Sequence, residues 1–185
     1  VLSMLSTLAG AALDRVGDFA LLDSAGTFHQ LSRYKHRKAL VLMAYAQECT
    51  VMDKLLNDYE AIAGKYAGDE FDFLLIDTQD RERPELNELG LPLSILEDDG
   101  QLVSEALGIA NAGDVLVLNP ERLSLFYKGQ PAQELEATLA SIVDEGISDT
   151  VRLSGTNCAV DYPQSEIHRE SPPDYASEVA PIIIE

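Results

Sequence analysis

Cys49 and Met52 place a thiol and a thioether three positions apart. A thiolate serves as a nucleophile or as a ligand for a soft metal, whereas a thioether can join it only in the second role. One further thiol, Cys158, stands far away in sequence. His29, His36 and His168 are candidates for a third ligand if Cys49 and Met52 hold Cu(I). Two distant cysteines exclude a zinc site built from CxxC pairs and a small fold held by a disulfide framework. Other chemistries fail on pattern. Neither G-x-G-x-x-G nor G-x-x-x-x-G-K-[ST] occurs, so both nucleotide fingerprints are missing. Glu97-Asp98-Asp99-Gly100 is acidic but lacks the alternate-ligand spacing of a calcium loop. No Ser, His and acid combination stands out from background.

The elements on either side decide where Cys49 sits. Ala39-Leu40-Val41-Leu42-Met43-Ala44 is apolar throughout, as suits a strand covered on both faces. Thr50 opens a helix, with Asp53 three residues on as an approximate capping box. Val51, Leu55, Tyr59, Ile62, Ala63 and Tyr66 recur at helical spacing, and Asp53, Lys54, Asn57, Asp58 and Glu60 point outward. Phe71-Asp72-Phe73-Leu74-Leu75-Ile76 gives a second buried strand, so the order predicts a right-handed parallel crossover. Cys49 thus falls between the first long strand and the helix, where unpaired N–H groups and the helix dipole favour thiolate over thiol. Glu48 and Asp53 oppose this, with Lys54 the one nearby cation.

Shorter elements surround this unit. Residues 18–22 and 27–31 flank Asp23-Ser24-Ala25-Gly26 and predict a hairpin. Residues 78–83 read as loop, 84–89 as a short helix opened by proline, 93–96 as extended, and 101–107 as a helix ended by Gly108. Residues 114–118 and 123–127 predict a second hairpin around Asn119-Pro120-Glu121-Arg122. A final helix over 132–144 carries Leu135, Leu139, Ile142 and Val143 on one side. Beyond Gly146 the pattern reads as irregular, with Pro163, Pro172, Pro173 and an apolar end at Ile182-Ile183-Ile184.

Composition sets the outer bounds. A chain of 185 residues with 46% hydrophobic and 24% charged residues can bury one core of ordinary size. Asp and Glu number 32 against 13 Lys and Arg, a net charge of −19 that argues against general affinity for nucleic acid or anionic lipid. Five of the bases lie in residues 1–38, including Arg33, Lys35, Arg37 and Lys38, against three acids. An acidic body with one basic loop suits docking to a basic partner surface. No stretch is apolar for the length of a membrane span. The first thirteen residues are uncharged and read either as the end of a secretory signal or as an amphipathic lead helix. The expected division is 1–14 lead segment or signal remnant, 15–146 folded domain, and 147–185 extension or linker.

The element order βαβ, α, β-hairpin, α is the thioredoxin arrangement, an α/β fold with a central mixed sheet flanked by helices on both faces. Val16-Gly17-Asp18-Phe19-Ala20-Leu21-Leu22-Asp23-Ser24-Ala25-Gly26 resembles the opening segment of redoxin and peroxiredoxin-like proteins. The stretches 92–107 and 114–129 resemble later segments of the same family, so the likeness covers roughly residues 15–145. It puts the reactive cysteine at Cys49. The sequence departs from the family pattern at this site. Cys49-Thr50-Val51-Met52 replaces Cys-x-x-Cys, so a thioether stands where a second thiol would resolve a disulfide. Ala46 and Thr50 hold the places of the peroxiredoxin Thr and Pro, no partner Arg is identified, and Asn111-Ala112-Gly113 replaces the cis-proline loop.

Three readings of Cys49 follow: a retained thiol in a degenerate redoxin domain, a disulfide with Cys158 that pins the tail to the core of an exported protein, or a functional sulfur in one-cysteine chemistry or copper handling with Met52. The stretch from Asp174 to Glu185, with Gly155-Thr156-Asn157-Cys158 before it, resembles the lead-in to a haem site in exported redoxin–cytochrome c-like fusions. This implies a periplasmic or extracellular redox or electron-transfer accessory module. No cofactor is expected within the chain, the resemblance leaves room for a haem in a following domain, and the partner is a redox or electron-transfer protein or that neighbouring domain. A non-enzymatic interaction or scaffold module is the alternative.

Overall fold

The structure, a computed structural model, describes residues 15–68, 70–145, 151–153 and 158–170. The lead segment 1–14, Gly155-Thr156-Asn157 and the haem-like lead-in from Asp174 lie outside these residues. In chain order the elements are β1 (Ala20–Asp23), β2 (Phe28–Gln30), a 3-10 turn (Leu31–Tyr34), β3 (Ala39–Tyr45), α1 (Met52–Tyr66), β4 (Phe71–Asp77) and α2 (Arg83–Glu88). There follow β5 (Ile95–Glu97), α3 (Leu102–Ala106), β6 (Val115–Asn119), β7 (Ser124–Gly129), α4 (Gln133–Glu145), β8 (Val151–Arg152) and α5 (Pro163–Glu170). The strands form one sheet in the order β2-β1-β5-β4-β3-β6-β7-β8. β3/β4, β4/β5 and β7/β8 pair parallel and the other neighbours antiparallel. This is the thioredoxin-like mixed sheet.

The alternation along β3 builds two cores at once, because successive side chains leave a strand on opposite faces. Ala39, Val41, Met43 and Tyr45 join Met52, Tyr59 and Ile62 of α1, Leu86 of α2, and Leu135, Leu139 and Ile142 of α4. Leu40, Leu42 and Ala44 join Leu31, Leu74, Leu96, Leu116 and Leu118 on the other face, where Val103 and Leu107 pack from the α3 side. Every β3 side chain is buried, which explains its unbroken apolar run. Burying each such Leu or Val fully contributes about 1.5–3 kcal/mol. The hydroxyl of Tyr59, itself fully buried, is shared between the carbonyls of Val41 and Leu74, each at 3.0 Å, and so ties α1 to the two central strands.

A bulge between β6 and β7 sets the second hairpin. Val117 pairs with Tyr127 but Leu118 with Leu125, leaving Phe126 as the extra residue. Phe126 and Tyr127 both enter the α1/α4 core, while Leu125 enters the other. The first hairpin turns on Asp23, whose carboxylate accepts from Ala25 N at 3.0 Å and Thr27 N at 2.8 Å. Its other oxygen lies 3.1 Å from His29 Nε2, and His29 Nδ1 meets the Tyr34 hydroxyl. Gly26 takes φ 84°, which the turn requires and a residue with a Cβ rarely adopts.

Three expectations are corrected. The helix carrying the site begins at Met52 after Val51, which makes no side-chain cap bond, so the Thr50–Asp53 capping box does not form. Val51 is exposed, not buried. The stretch beyond Gly146 is also not wholly irregular, since β8 and α5 both form there. Among the described residues no helix is long and apolar enough to cross a membrane.

Candidate functional site

Cys49 lies on the turn between β3 and α1. Its N–H donates to Ala46 O at 3.2 Å, and Met52 N donates to Cys49 O at 2.9 Å. The long buried strand fixes one side of this turn and the buried face of α1 the other, so the sulfur is held at the helix head. Cys49 forms a disulfide with Cys158, with the Cα atoms 5.7 Å apart across 109 residues of sequence. Among the described residues no free cysteine remains. Cys49 is 5% exposed, whereas Cys158 is only partly buried.

The segment carrying Cys158 is docked as an extra piece of strand. Ala159 bridges Asn111 in antiparallel fashion. Ala112 N donates to Cys158 O at 2.8 Å, and Val160 N donates to Ala110 O at 3.0 Å. The receiving loop is shaped by Asp114, a buried carboxylate that accepts from Ala110 N at 3.1 Å and Asn111 N at 3.0 Å. Gly113, at φ 84°, donates to Ala44 O at 2.8 Å and so fastens the loop to the end of β3. Beyond the bridge, Gln101 Nε2 donates to Thr78 O at 2.6 Å and to Asp161 O at 3.0 Å. The Tyr162 hydroxyl donates to Ile109 O at 2.6 Å. Burial pushes the Tyr162 phenol up, with Asp98, Glu105 and Asp114 adding to it, so the hydroxyl keeps its proton at neutral pH. The loop Asn111-Ala112-Gly113 is therefore where the chain receives its own later segment, and among the described residues no peptide bond is cis.

A groove of about 450 Å³ opens over the disulfide, lined in part by Glu48, Gln79, Asp80, Gln101 and Asp161 beside the two sulfurs. Glu48, Asp80 and Asp161 are exposed. A larger cavity of about 720 Å³ lies beside Arg81 and Arg83. Its cations are already engaged, Arg81 by Asp77 at 2.7 Å and Arg83 by Glu97 at 2.7 Å, and it holds neither sulfur. The smaller groove is where sulfur chemistry can occur.

The remaining candidates are dispersed. Met52 is 2% exposed and packs into the α1/α4 core. His29 is bound into the first hairpin, and His36 Nδ1 lies 3.1 Å from Arg33 O; neither is among the described residues of the groove. The side chain of His168 lies outside the described part of α5. Among the described residues no group of three His, Cys, Asp or Glu side chains is arranged to hold a metal. Lys54 pairs with Asp58 at 2.6 Å, so its charge is engaged away from Cys49. The arginine that reaches this end of the sheet is Arg81, which sequence reasoning missed. It is held by Asp77, four residues earlier, donates to Gln47 Oε1 at 3.0 Å and lies over the Tyr45 ring at 5.5 Å. Asp77 ends β4 and Arg81 stands in the loop before α2, so no helical spacing rule joins the pair and the sequence carries no local signal for it.

Several solved structures share this architecture. A hypothetical protein from Sinorhizobium meliloti is 24% identical with a TM-score of 0.62, over 83% of this chain and 96% of that one. An uncharacterized conserved protein from Geobacillus kaustophilus is 21% identical with a TM-score of 0.64, over 83% and 94%. The pneumococcal exposed lipoprotein thioredoxin of Streptococcus pneumoniae is 22% identical with a TM-score of 0.56, over 69% and 99%. Among curated proteins none matches the sequence. A model of the AhpC/TSA family matches residues 12–132, which include the β3–α1 turn with Cys49 and the loop that receives the tail segment; the chain belongs to the AhpC/TSA family.

Proposed function

We infer that the protein is a thiol–disulfide redox module of an exported protein, in which Cys49 and Cys158 form the redox couple. The disulfide at the head of α1, beside a solvent-open groove, carries this reading. Cys158 supplies the second sulfur that Met52 cannot, so the motif Cys49-x-x-Met52 is degenerate only as a local motif. The chemistry is exchange: two electrons from a pair of thiols convert the disulfide to Cys49 and Cys158 thiols, and an oxidised partner restores it. The helix N-terminus stabilises the Cys49 thiolate that each half-cycle must form or consume.

A stable disulfide suits an oxidising compartment, which supports a periplasmic or extracellular setting. The sequence likeness of the tail supports membership of a larger redoxin–cytochrome c-like chain, whose neighbouring domain is the electron partner. A haem in a following domain is part of the proposal.

Equilibration of the native protein in thiol–disulfide buffers, followed by alkylation and mass measurement, tests the function. The expected result is a reversible two-electron midpoint reached without denaturant, with far-UV circular dichroism unchanged. A disulfide reduced only after unfolding would reduce it to a structural staple and overturn the reading.

A further inference from the structure

The two sulfurs of the disulfide are not equivalent, and their difference gives the direction of exchange. We propose that external thiols react at Cys158, not at Cys49, and that the groove selects thiols carried in a neutral or positively charged setting. This rests on the redox reading above.

Thiolate attack on a disulfide depends on which sulfur is accessible and on how well the other leaves. Cys49 is 5% exposed and is enclosed by the β3–α1 turn. Cys158 is partly buried on the groove, next to exposed Ala159 and Asp161. Access therefore favours Cys158. The leaving group agrees, because attack there expels Cys49 as a thiolate at the N-terminus of α1, a helix of 15 residues. The first step joins the incoming sulfur to Cys158 Sγ and breaks the Cys158–Cys49 bond, whose electron pair stays on Cys49. A second thiolate then attacks the incoming sulfur, forms the oxidised disulfide of the donor and releases Cys158 as a thiolate. Two thiols are oxidised, one disulfide is reduced, and the two protons lost by the donor are available to the new thiols.

The charge of the groove adds selectivity. Glu48, Asp80 and Asp161 are exposed on its walls, and no cation stands among its described lining residues. Carboxylates of one sign around a cleft repel an approaching anion and concentrate a cation, most strongly at low ionic strength. The natural donor is therefore a cysteine with Lys or Arg beside it on a partner surface, in keeping with the net charge of −19.

The test uses cysteamine, 2-mercaptoethanol and 2-mercaptoethanesulfonate as cationic, neutral and anionic probes on the native oxidised protein, with rates normalised to thiolate concentration. The order expected at about 20 mM salt is cation, neutral, anion, with about a tenfold span that contracts toward unity at about 0.5 M salt. Rapid quench with N-ethylmaleimide and peptide mapping should find the thiol adduct on Cys158 and the maleimide on Cys49. The double variant Glu48→Gln, Asp80→Asn should narrow the span. An adduct that starts on Cys49, or equal rates at low salt, would overturn the proposal while leaving the redox couple intact. Failure of all three thiols to reduce the native protein would overturn both.

Discussion

Reduction of the disulfide should release the segment from Cys158 to Tyr162 while leaving the sheet intact. Among the described residues four hydrogen bonds tie the segment to the domain: Ala112 N to Cys158 O, Val160 N to Ala110 O, Gln101 Nε2 to Asp161 O, and Tyr162 hydroxyl to Ile109 O. At about 1 kcal/mol net each they contribute about 4 kcal/mol. Partial burial of Val160 against the second core adds about 1–2 kcal/mol. Ordering the backbone of these residues costs about 1–2 kcal/mol per residue, or about 5–10 kcal/mol. Without the covalent link the segment is therefore held by almost nothing. In the Cys158→Ser variant, the Ala112 and Val160 amides should exchange with solvent at protection factors below about 10, while those of β3 and β4 stay protected. For a cross-link across 109 residues the chain-entropy estimate is about 4.8 kcal/mol of lost global stability. The urea-unfolding loss should fall below that figure, because the native state gains freedom too. Unchanged protection of Ala112 and Val160 in the reduced protein would refute this reasoning and make the docked segment a part of the core.

Two further outcomes concern positions away from the sulfurs. Burial acts to raise the Asp23 carboxyl, but hydrogen bonds from Thr27, His29 and Ala25 outweigh it and hold the group below 3.8. A depressed carboxyl contributes stability that is complete above its unfolded value near 3.9 and is lost as pH falls through the lower folded value. Asp23→Asn should thus cost about 1–2 kcal/mol in urea unfolding at pH 7, with the difference from wild type shrinking below about pH 4; a difference that stays constant down to pH 2 contradicts this. Gly129→Ala would place a Cβ 2.6 Å from Tyr127 Cζ, and Tyr127 is fully buried with its hydroxyl bound to Gln130 O at 2.8 Å, so the ring cannot retreat. Thermal unfolding should register a loss of about 1–3 kcal/mol or more, and a loss under about 0.5 kcal/mol would mean that the hairpin yields.

The parts of the fold legible in the sequence are those whose pattern is set by burial on long elements. Leu40 to Ala44 and Phe73 to Ile76 are apolar because both sheet faces are covered, and no other local structure suits such runs so well. The head of α1 is less legible, because Val51 fits the apolar helical face by spacing but stands in the turn before the first helical residue, where the periodicity no longer applies. β8 has two residues and α5 presents a mostly polar sequence, so neither offers a period to detect. The site shows the same division. Cys49 is placed by its flanking elements, whereas the position of Cys158 depends on the return of the chain across 109 residues. The docking of Cys158, Ala159 and Val160 on the Ala110–Ala112 loop rests on backbone groups, which every residue carries and which leave no mark in side-chain type.

The short last strand has a consequence for how the molecule behaves in a crowd of its own copies. β7 is buried on both faces over Ser124 to Tyr127; Arg15 bridges Ser124 at the start of its outer side, and beyond that bridge the side would present unpaired N–H and C=O groups to any passing strand. Val151 and Arg152 occupy that side in parallel register, and Leu153 N closes on Lys128 O at 2.8 Å. The strand now outermost is two residues long and carries an exposed arginine. At the opposite margin β2 is three residues long, with the Arg33 guanidinium 4.7 Å above the ring of exposed Phe28. Both margins are too short and too charged to template edge-to-edge pairing. A variant lacking residues 151 and 152 would lose the Val151 contact with the first core and bare the β7 margin beside Tyr127 and Lys128, so it should self-associate more readily than the parent chain.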